Sequence, residues 1–221
     1  SIVCIRNLEF EVSNADNAAL IAQIEAEAAA GPADVNETKG NYHLIWEPNR
    51  VQGSVHSVAT YEIDLVGNAL LAIGAGYLYD NEIHIYRWNA STEEGTHVWD
   101  CGDGIITSDI LSLTFGETDM DGYLEIVAGS ADRKTYVFEQ RSNLADNSLF
   151  NEFQLVWNSS KQISARVTSV AVDDLDSDGF MEIVAGSWDG KVYVFEYEAR
   201  YGTPGATGHR HVYTKVWDSG E

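Results

Sequence analysis

Residues Ala171–Phe195 read AVDDLDSDGFMEIVAGSWDGKVYVF. Two alternating apolar runs, Met181–Ser187 and Lys191–Glu198, flank Asp189-Gly190. Asp-Gly between such runs marks a β-hairpin. Upstream, Val167–Val172 is a third run, tied to the second by the acidic stretch Asp174–Glu182. A fourth run, Val212–Asp218, completes a unit rich in Val, Ile, Tyr and Phe, the residues that favour strands.

The unit recurs. Ile45-Trp46-Glu47, Val98-Trp99-Asp100, Val156-Trp157-Asn158 and Val216-Trp217-Asp218 place tryptophans 53, 58 and 60 residues apart. Ile73-Gly74-Ala75-Gly76, Ile126-Val127-Ala128-Gly129 and Ile183-Val184-Ala185-Gly186 form a second marker, and Ile83–Tyr86, Thr135–Phe138 and Val192–Phe195 a third. The middle unit is expected to run as strands Asp109–Phe115, Leu124–Ser130, Lys134–Arg141 and Phe153–Trp157. The first is expected at Val55–Tyr61, Ala69–Gly76, Glu82–Trp88 and His97–Trp99. Four-stranded units repeating every fifty-odd residues predict an all-β chain, a β-propeller of antiparallel blades. The glycine of the Ala-Gly marker is expected where neighbouring sheets approach. The tryptophan is expected to pack over the blade edge.

Ser1–Arg6 aligns with Lys191–Glu196, so residues 1–47 predict a half blade, its third strand first and its fourth at His43–Glu47. The stretch Asn14–Ala30 predicts one helical insertion, with Leu20, Ile21, Ile24 and Ala28 on one face and Gly31-Pro32 as its stop. Whole blades follow at 48–100, 101–158 and 159–221, about three and a half in all. Propellers typically have more, so the chain is expected to be a piece of a longer polypeptide.

The chemistry lies in the loop between first and second strands. Asp174, Asp176, Asp178 and Glu182 occupy loop positions 1, 3, 5 and 9, with Gly179 at 6. Glu117, Asp119, Asp121 and Glu125 repeat the spacing around Gly122. Short acids on alternate positions of a tight turn point inward together. With the backbone carbonyls of Phe180 and Tyr123, they offer the hard oxygens that Ca²⁺ takes six to eight of. Two Ca²⁺ sites are therefore expected, and Mg²⁺ is disfavoured because it prefers a smaller, rigid octahedron. In Asp64–Ala72 only Asp64 and Asn68 offer ligand oxygens, and no ion is expected there.

The stretch Val170–Phe195 resembles the FG-GAP repeat, the blade unit of the integrin α-subunit propeller and of related VCBS-type proteins. Leu111–Phe138 is similar, and Val58–Tyr86 is a degenerate copy. The resemblance implies calcium in the acidic loops and a secreted or cell-surface setting. It also implies a role in adhesion, in ligand recognition or in surface assembly, with a protein, a glycan or copies of the same chain as partner. A propeller domain of a carbohydrate-active enzyme, or a sugar-binding lectin, is the alternative.

Composition narrows the rest. Thirteen basic against thirty-five acidic residues give a net charge of −22, which excludes a phosphate-binding basic surface and hence a nucleic-acid partner. No apolar run reaches the length of a membrane span. Cys4 and Cys101 are too few for a disulfide framework and are expected to be unpaired. No nucleophile elbow, phosphate loop or dinucleotide fingerprint occurs, so no enzymatic activity is expected. Asn36, Asn89 and Asn158 open glycosylation triplets, each a weak signal. His209-Arg210-His211 reads as a polar loop, and His56 and His84 as structural strand residues.

Overall fold

A computed structural model of the chain describes residues 44–76, 80–141, 152–198 and 212–220. The chain divides into two compact units, Ser1–Glu47 and Pro48–Glu221. Of the first, Leu44–Glu47 are described and carry no regular strand. The expected third strand at 1–6, the helix at 14–30, Cys4, Asn36 and His209–His211 lie outside the described residues.

The second unit holds twelve strands in three four-stranded antiparallel sheets. The first contains β1 (Ser54–Glu62), β2 (Ala69–Gly76), β3 (Ile83–Asn89) and β4 (Glu94–Asp100). The second contains β5 (Ile110–Gly116), β6 (Glu125–Ser130), β7 (Thr135–Gln140) and β8 (Phe153–Asn158). The third contains β9 (Val167–Asp173), β10 (Glu182–Ser187), β11 (Val192–Tyr197) and β12 (Tyr213–Asp218). Strands pair in sequence order in each sheet, as hairpin turns dictate. No helix occurs among the described residues.

The core lies between sheets. Leu70, Ala72, Ile83 and Ile85 of the first sheet pack with Ile110, Ile126, Tyr136 and Phe138 of the second. Val127 and Val137 on the other face of the second sheet pack with Val167, Ile183, Tyr193 and Phe195 of the third. The second sheet is thus buried on both faces, which explains why β6 and β7 are buried at every residue.

Two devices set the spacing. A Cβ on Gly74 would lie 2.6 Å from Ile110, and one on Gly129 2.7 Å from Val167, so β2 and β6 touch the next sheet's first strand through bare backbone. Ser57 and Ser112 accept hydrogen bonds from the backbone N–H of Leu113 (2.8 Å) and Val170 (3.0 Å), one sheet onward each time.

The tryptophan marker has two structural reasons. Each fourth strand is bulged one residue before its tryptophan, where the register skips Val98, Val156 and Val216. The tryptophan then reaches the following sheet rather than the edge of its own sheet. Trp99 packs on Phe138 and Phe153, and Trp157 on Phe195 and Tyr213, with ring centroids 5.1–5.7 Å apart. Trp217, with no following sheet among the described residues, is 49% exposed.

Candidate metal sites

The loop joining β5 to β6 gathers Glu117, Asp119, Asp121 and Glu125, each with one carboxylate oxygen within 4.8 Å of the others. Local backbone chemistry builds it. Met120 at position 4 and Gly122 at position 6 both take positive φ (60° and 86°), which turns the chain sharply enough to bring alternate acids together. Glu117 Oε1 accepts the Asp121 N–H (2.9 Å), and Asp121 Oδ1 accepts the Tyr123 N–H (2.9 Å). Glu125 Oε2 accepts the N–H and hydroxyl of Thr118. Its Oε1 is buried with no hydrogen-bond partner.

The loop joining β9 to β10 repeats this plan. Ser177 and Gly179 take φ of 66° and 97° at the same two positions. Asp174, Asp176 and Asp178 converge within 4.8 Å. Glu182 Oε2 accepts the Leu175 N–H (2.7 Å), as Glu125 does from Thr118, and Glu182 Oε1 is likewise buried and unpartnered. Phe180 donates its N–H to Asp178 Oδ1 (2.9 Å), matching Tyr123. Glu182 stands outside the converged trio, whereas Glu125 belongs to its quartet.

The two clusters differ in burial. Asp119 and Glu125 are fully buried, while Asp176 and Asp178 are exposed. The third sheet makes the difference. The Tyr213 hydroxyl reaches Thr118 Oγ1 (2.5 Å), and Met120 lies against Gly179. Burial raises the Glu117 and Glu125 carboxyls above the usual range and pushes Asp121 up to about 6, with Asp119 adding like-charge repulsion to each. Burial also raises Glu182, helped by Asp176, Asp178 and Asp174. Tyr197, close to Asp119 and Asp121, is pushed up to about 12, by burial first. Such a site favours protons or a cation.

In the first sheet the register pairs Glu62 with Ala69, where the others pair Gly116 with Glu125 and Asp173 with Glu182. The loop is therefore two residues shorter, and Ala69 rather than Ala72 stands at the closing position. Asp64 accepts hydrogen bonds from the backbone N–H groups of Val66 and Asn68 and from the Asn68 side-chain amide. The loop thus closes on its own donors.

A further group of ligand-type side chains lies at the other end of the first sheet. His84, His97 and Asp100 form one cluster within 4.8 Å, and Asp80, Glu82 and His84 another. Alternation alone marks His84 as a structural strand residue. Its signal was the repeat itself, since Tyr136 and Tyr193 stand where His84 does.

Asn89 ends β3, exposed, with its side chain capping the turn through Ser91 and Thr92. Asn158 ends β8, half-buried, its side chain accepting the Ser160 N–H. Cys101 is free and buried, its thiol pushed up to about 12 by burial. His56 lies 3.8 Å from Asp109.

Residues 167–195, which hold the acidic loop at Asp174–Glu182, match the family model described as FG-GAP repeat. No curated protein matches the chain. Among solved structures, Sqt1 from Chaetomium thermophilum aligns over 76% of this chain and 36% of its own, at 17% identity and a TM-score of 0.51. Saccharomyces cerevisiae Sqt1 aligns over 77% and 36%, at 16% identity and a TM-score of 0.48. The chain thus spans about a third of the length of these structures. At such identities the likeness concerns the fold alone.

Proposed function

We propose that the three sheets are consecutive blades of a β-propeller whose acidic loops bind calcium, and that the propeller is a non-catalytic recognition module of an exported protein. The observation that carries the metal reading is the converged quartet of Glu117, Asp119, Asp121 and Glu125, in which Asp119 and Glu125 are fully buried and Glu125 Oε1 is left without a partner. Buried carboxylates without compensation are costly, and a hard dication resolves that cost. The FG-GAP match over residues 167–195 supports the same reading for the homologous loop. The propeller reading is supported by first strands that follow one another, β1 beside β5 and β5 beside β9, each tied on through a serine.

The residues that would hold the ions are Glu117, Asp119, Asp121 and Glu125 in one loop, and Asp174, Asp176, Asp178 and Glu182 in the other. Bound there, Ca²⁺ supplies charge neutralisation, and its binding free energy adds to folded-state stability. The recognition reading rests on the resemblance and on surface. Trp188 is 66% exposed in the β10–β11 turn, with the Arg166 guanidinium 4.0 Å from its ring centroid, a flat amphipathic platform of the kind that proteins and glycans bind.

Calorimetric titration of the chelator-stripped chain with Ca²⁺ tests the metal reading. Two sites are expected, one lost in Asp121→Asn and one in Asp178→Asn. Absence of binding at millimolar Ca²⁺ would reduce both loops to solvated turns.

A further inference from the structure

The end of the first sheet opposite its β1–β2 loop carries a constellation that the other two sheets lack. His84 Nδ1 lies 3.4 Å from His97 Nε2, and His97 Nε2 lies 3.8 Å from Asp100 Oδ2. On the far side of the same imidazole, His84 Nε2 sits 3.0 and 3.2 Å from the two oxygens of Asp80. Asp80 is in turn fixed by the Gln52 N–H at 2.6 Å. His84 and Asp80 are each 5% exposed, while the Asp100 side chain is 39% exposed.

We propose that His84, His97 and Asp100 form a binding site for a divalent transition metal of the zinc class, with Asp80 as the positioning carboxylate and one coordination position open to solvent. A tetrahedral zinc with Zn–N bonds of about 2.0–2.1 Å holds two nitrogens about 3.3–3.4 Å apart, the separation found here. Imidazole ligands select zinc and its neighbours over calcium. A metal-bound histidine almost always donates its second ring N–H to a carboxylate or carbonyl, which fixes the tautomer. Asp80 does this for His84: with the proton on Nε2, the Nδ1 lone pair faces His97. Glu82, within the same radius of Asp80 and His84, adds negative charge toward a dication.

The bulge at Val98 is what makes the site. In a regular strand, His97 and Asp100 would point to opposite faces. The extra residue restores them to one face, with Asp100 opposite His84 and His97 opposite Tyr86. The same bulge in the other sheets presents different chemistry. In the second, the corresponding residues are Tyr136, Leu155 and Asn158. In the third they are Tyr193, Lys215 and Asp218, and the Lys215 ammonium lies 2.5 Å from Asp218. Asp132 and Asp189, four residues before those tyrosines, accept their hydroxyls as Asp80 meets His84. The third sheet therefore places a cationic side chain beside the aspartate at this position, and the first places two imidazoles there instead.

The test is a titration of the stripped 221-residue chain with Zn²⁺ and with Co²⁺, in millimolar Ca²⁺ so that the acidic loops are filled. One tight Zn²⁺ per chain is expected, together with a visible d–d band from Co²⁺ bound to nitrogen and oxygen. His97→Gln should abolish both. Asp100→Asn should weaken Zn²⁺ at least tenfold, and Asp80→Asn about 10–100-fold. The double change His209→Gln, His211→Gln and the loop changes Asp121→Asn and Asp178→Asn should leave Zn²⁺ binding intact. Zn²⁺ bound no tighter than millimolar, or binding indifferent to His97→Gln in a chain with native circular dichroism, overturns the site. Should His97→Gln fail to fold, the half-exposed Asp100→Asn decides alone, and unchanged affinity there overturns the proposal equally.

Discussion

Arg133 holds a φ of 73° in the turn between β6 and β7, a conformation that costs an L-residue roughly 1 kcal/mol and glycine almost nothing. The matching turn between β10 and β11 has Gly190 there, at φ 81°. The two turns share their bonds: Arg133 N–H to Ser130 O and Gly190 N–H to Ser187 O. Arg133→Gly should therefore stabilise the chain by about 0.5–1 kcal/mol in urea unfolding, while Gly190→Ala should cost a similar amount. Asp121 gives a second expectation at this scale. Its carboxyl stands near 6 in the fold against an ordinary 3.8, so the cation-free fold binds the proton more tightly than the unfolded chain does. Its contribution is present below the unfolded value and is lost as pH rises through about 6. In chelator, Asp121→Asn should thus raise the melting temperature by a few degrees at about pH 7.5 and change nothing near about pH 4. With Ca²⁺ the sign at the higher pH should reverse, because metal binding requires the ionised group. Equal effects of the substitution at both pH values would contradict the assignment.

At the scale of strands and sheets, close approach decides what each glycine tolerates. A methyl at Gly129 would meet Val167 and Val170 on β9 of the next sheet, and Val167 is fully buried in the core between the two sheets. A methyl at Gly186 would meet the Ser169 hydroxyl, which can rotate away. Gly129→Ala should cost about 1–3 kcal/mol by overpacking, and Gly186→Ala clearly less, both read from urea midpoints. The repeat made these elements legible. Every strand of the second and third sheets begins and ends within a residue of the run that alternation and Asp-Gly turns mark out, and the carboxylate spacing located both acidic loops. What alternation cannot carry is register. The bulges at Val98, Val156 and Val216 shift side chains between faces, so the partners of Trp99 and the meeting of His84 with His97 were hidden. Contacts from one sheet to the next, such as Tyr213 over Thr118, lie 95 residues apart and leave no local pattern. The first loop departs from the expected frame Asp64–Ala72 for a related reason: its shortening by two residues is defined by the pairing of Glu62 with Ala69.

Across the whole molecule the −22 charge sets two cation effects against each other. Self-repulsion of a strongly acidic chain is relieved by any salt, through screening over a Debye length of about 10 Å at 0.1 M. Site binding is instead saturable and selective. The two loops also differ in how much a specific ion should matter. The Glu117–Glu125 quartet is roofed by the third sheet, with Asp119 and Glu125 withdrawn from water, whereas Asp176 and Asp178 face solvent and already share their charge with it. Melting in Ca²⁺, in Mg²⁺ and in NaCl of matched ionic strength separates these effects. NaCl should raise the melting temperature gradually and equally in the parent chain, Asp121→Asn and Asp178→Asn. Ca²⁺ should add a saturating rise that Mg²⁺ does not match, cut most by Asp121→Asn and least by Asp178→Asn, because the deeper carboxylates have more desolvation for the ion to offset. A Ca²⁺ rise no larger than that of NaCl would assign the acidic excess to general surface charge, and the reverse order of the two variants would place the tighter ion in the open loop.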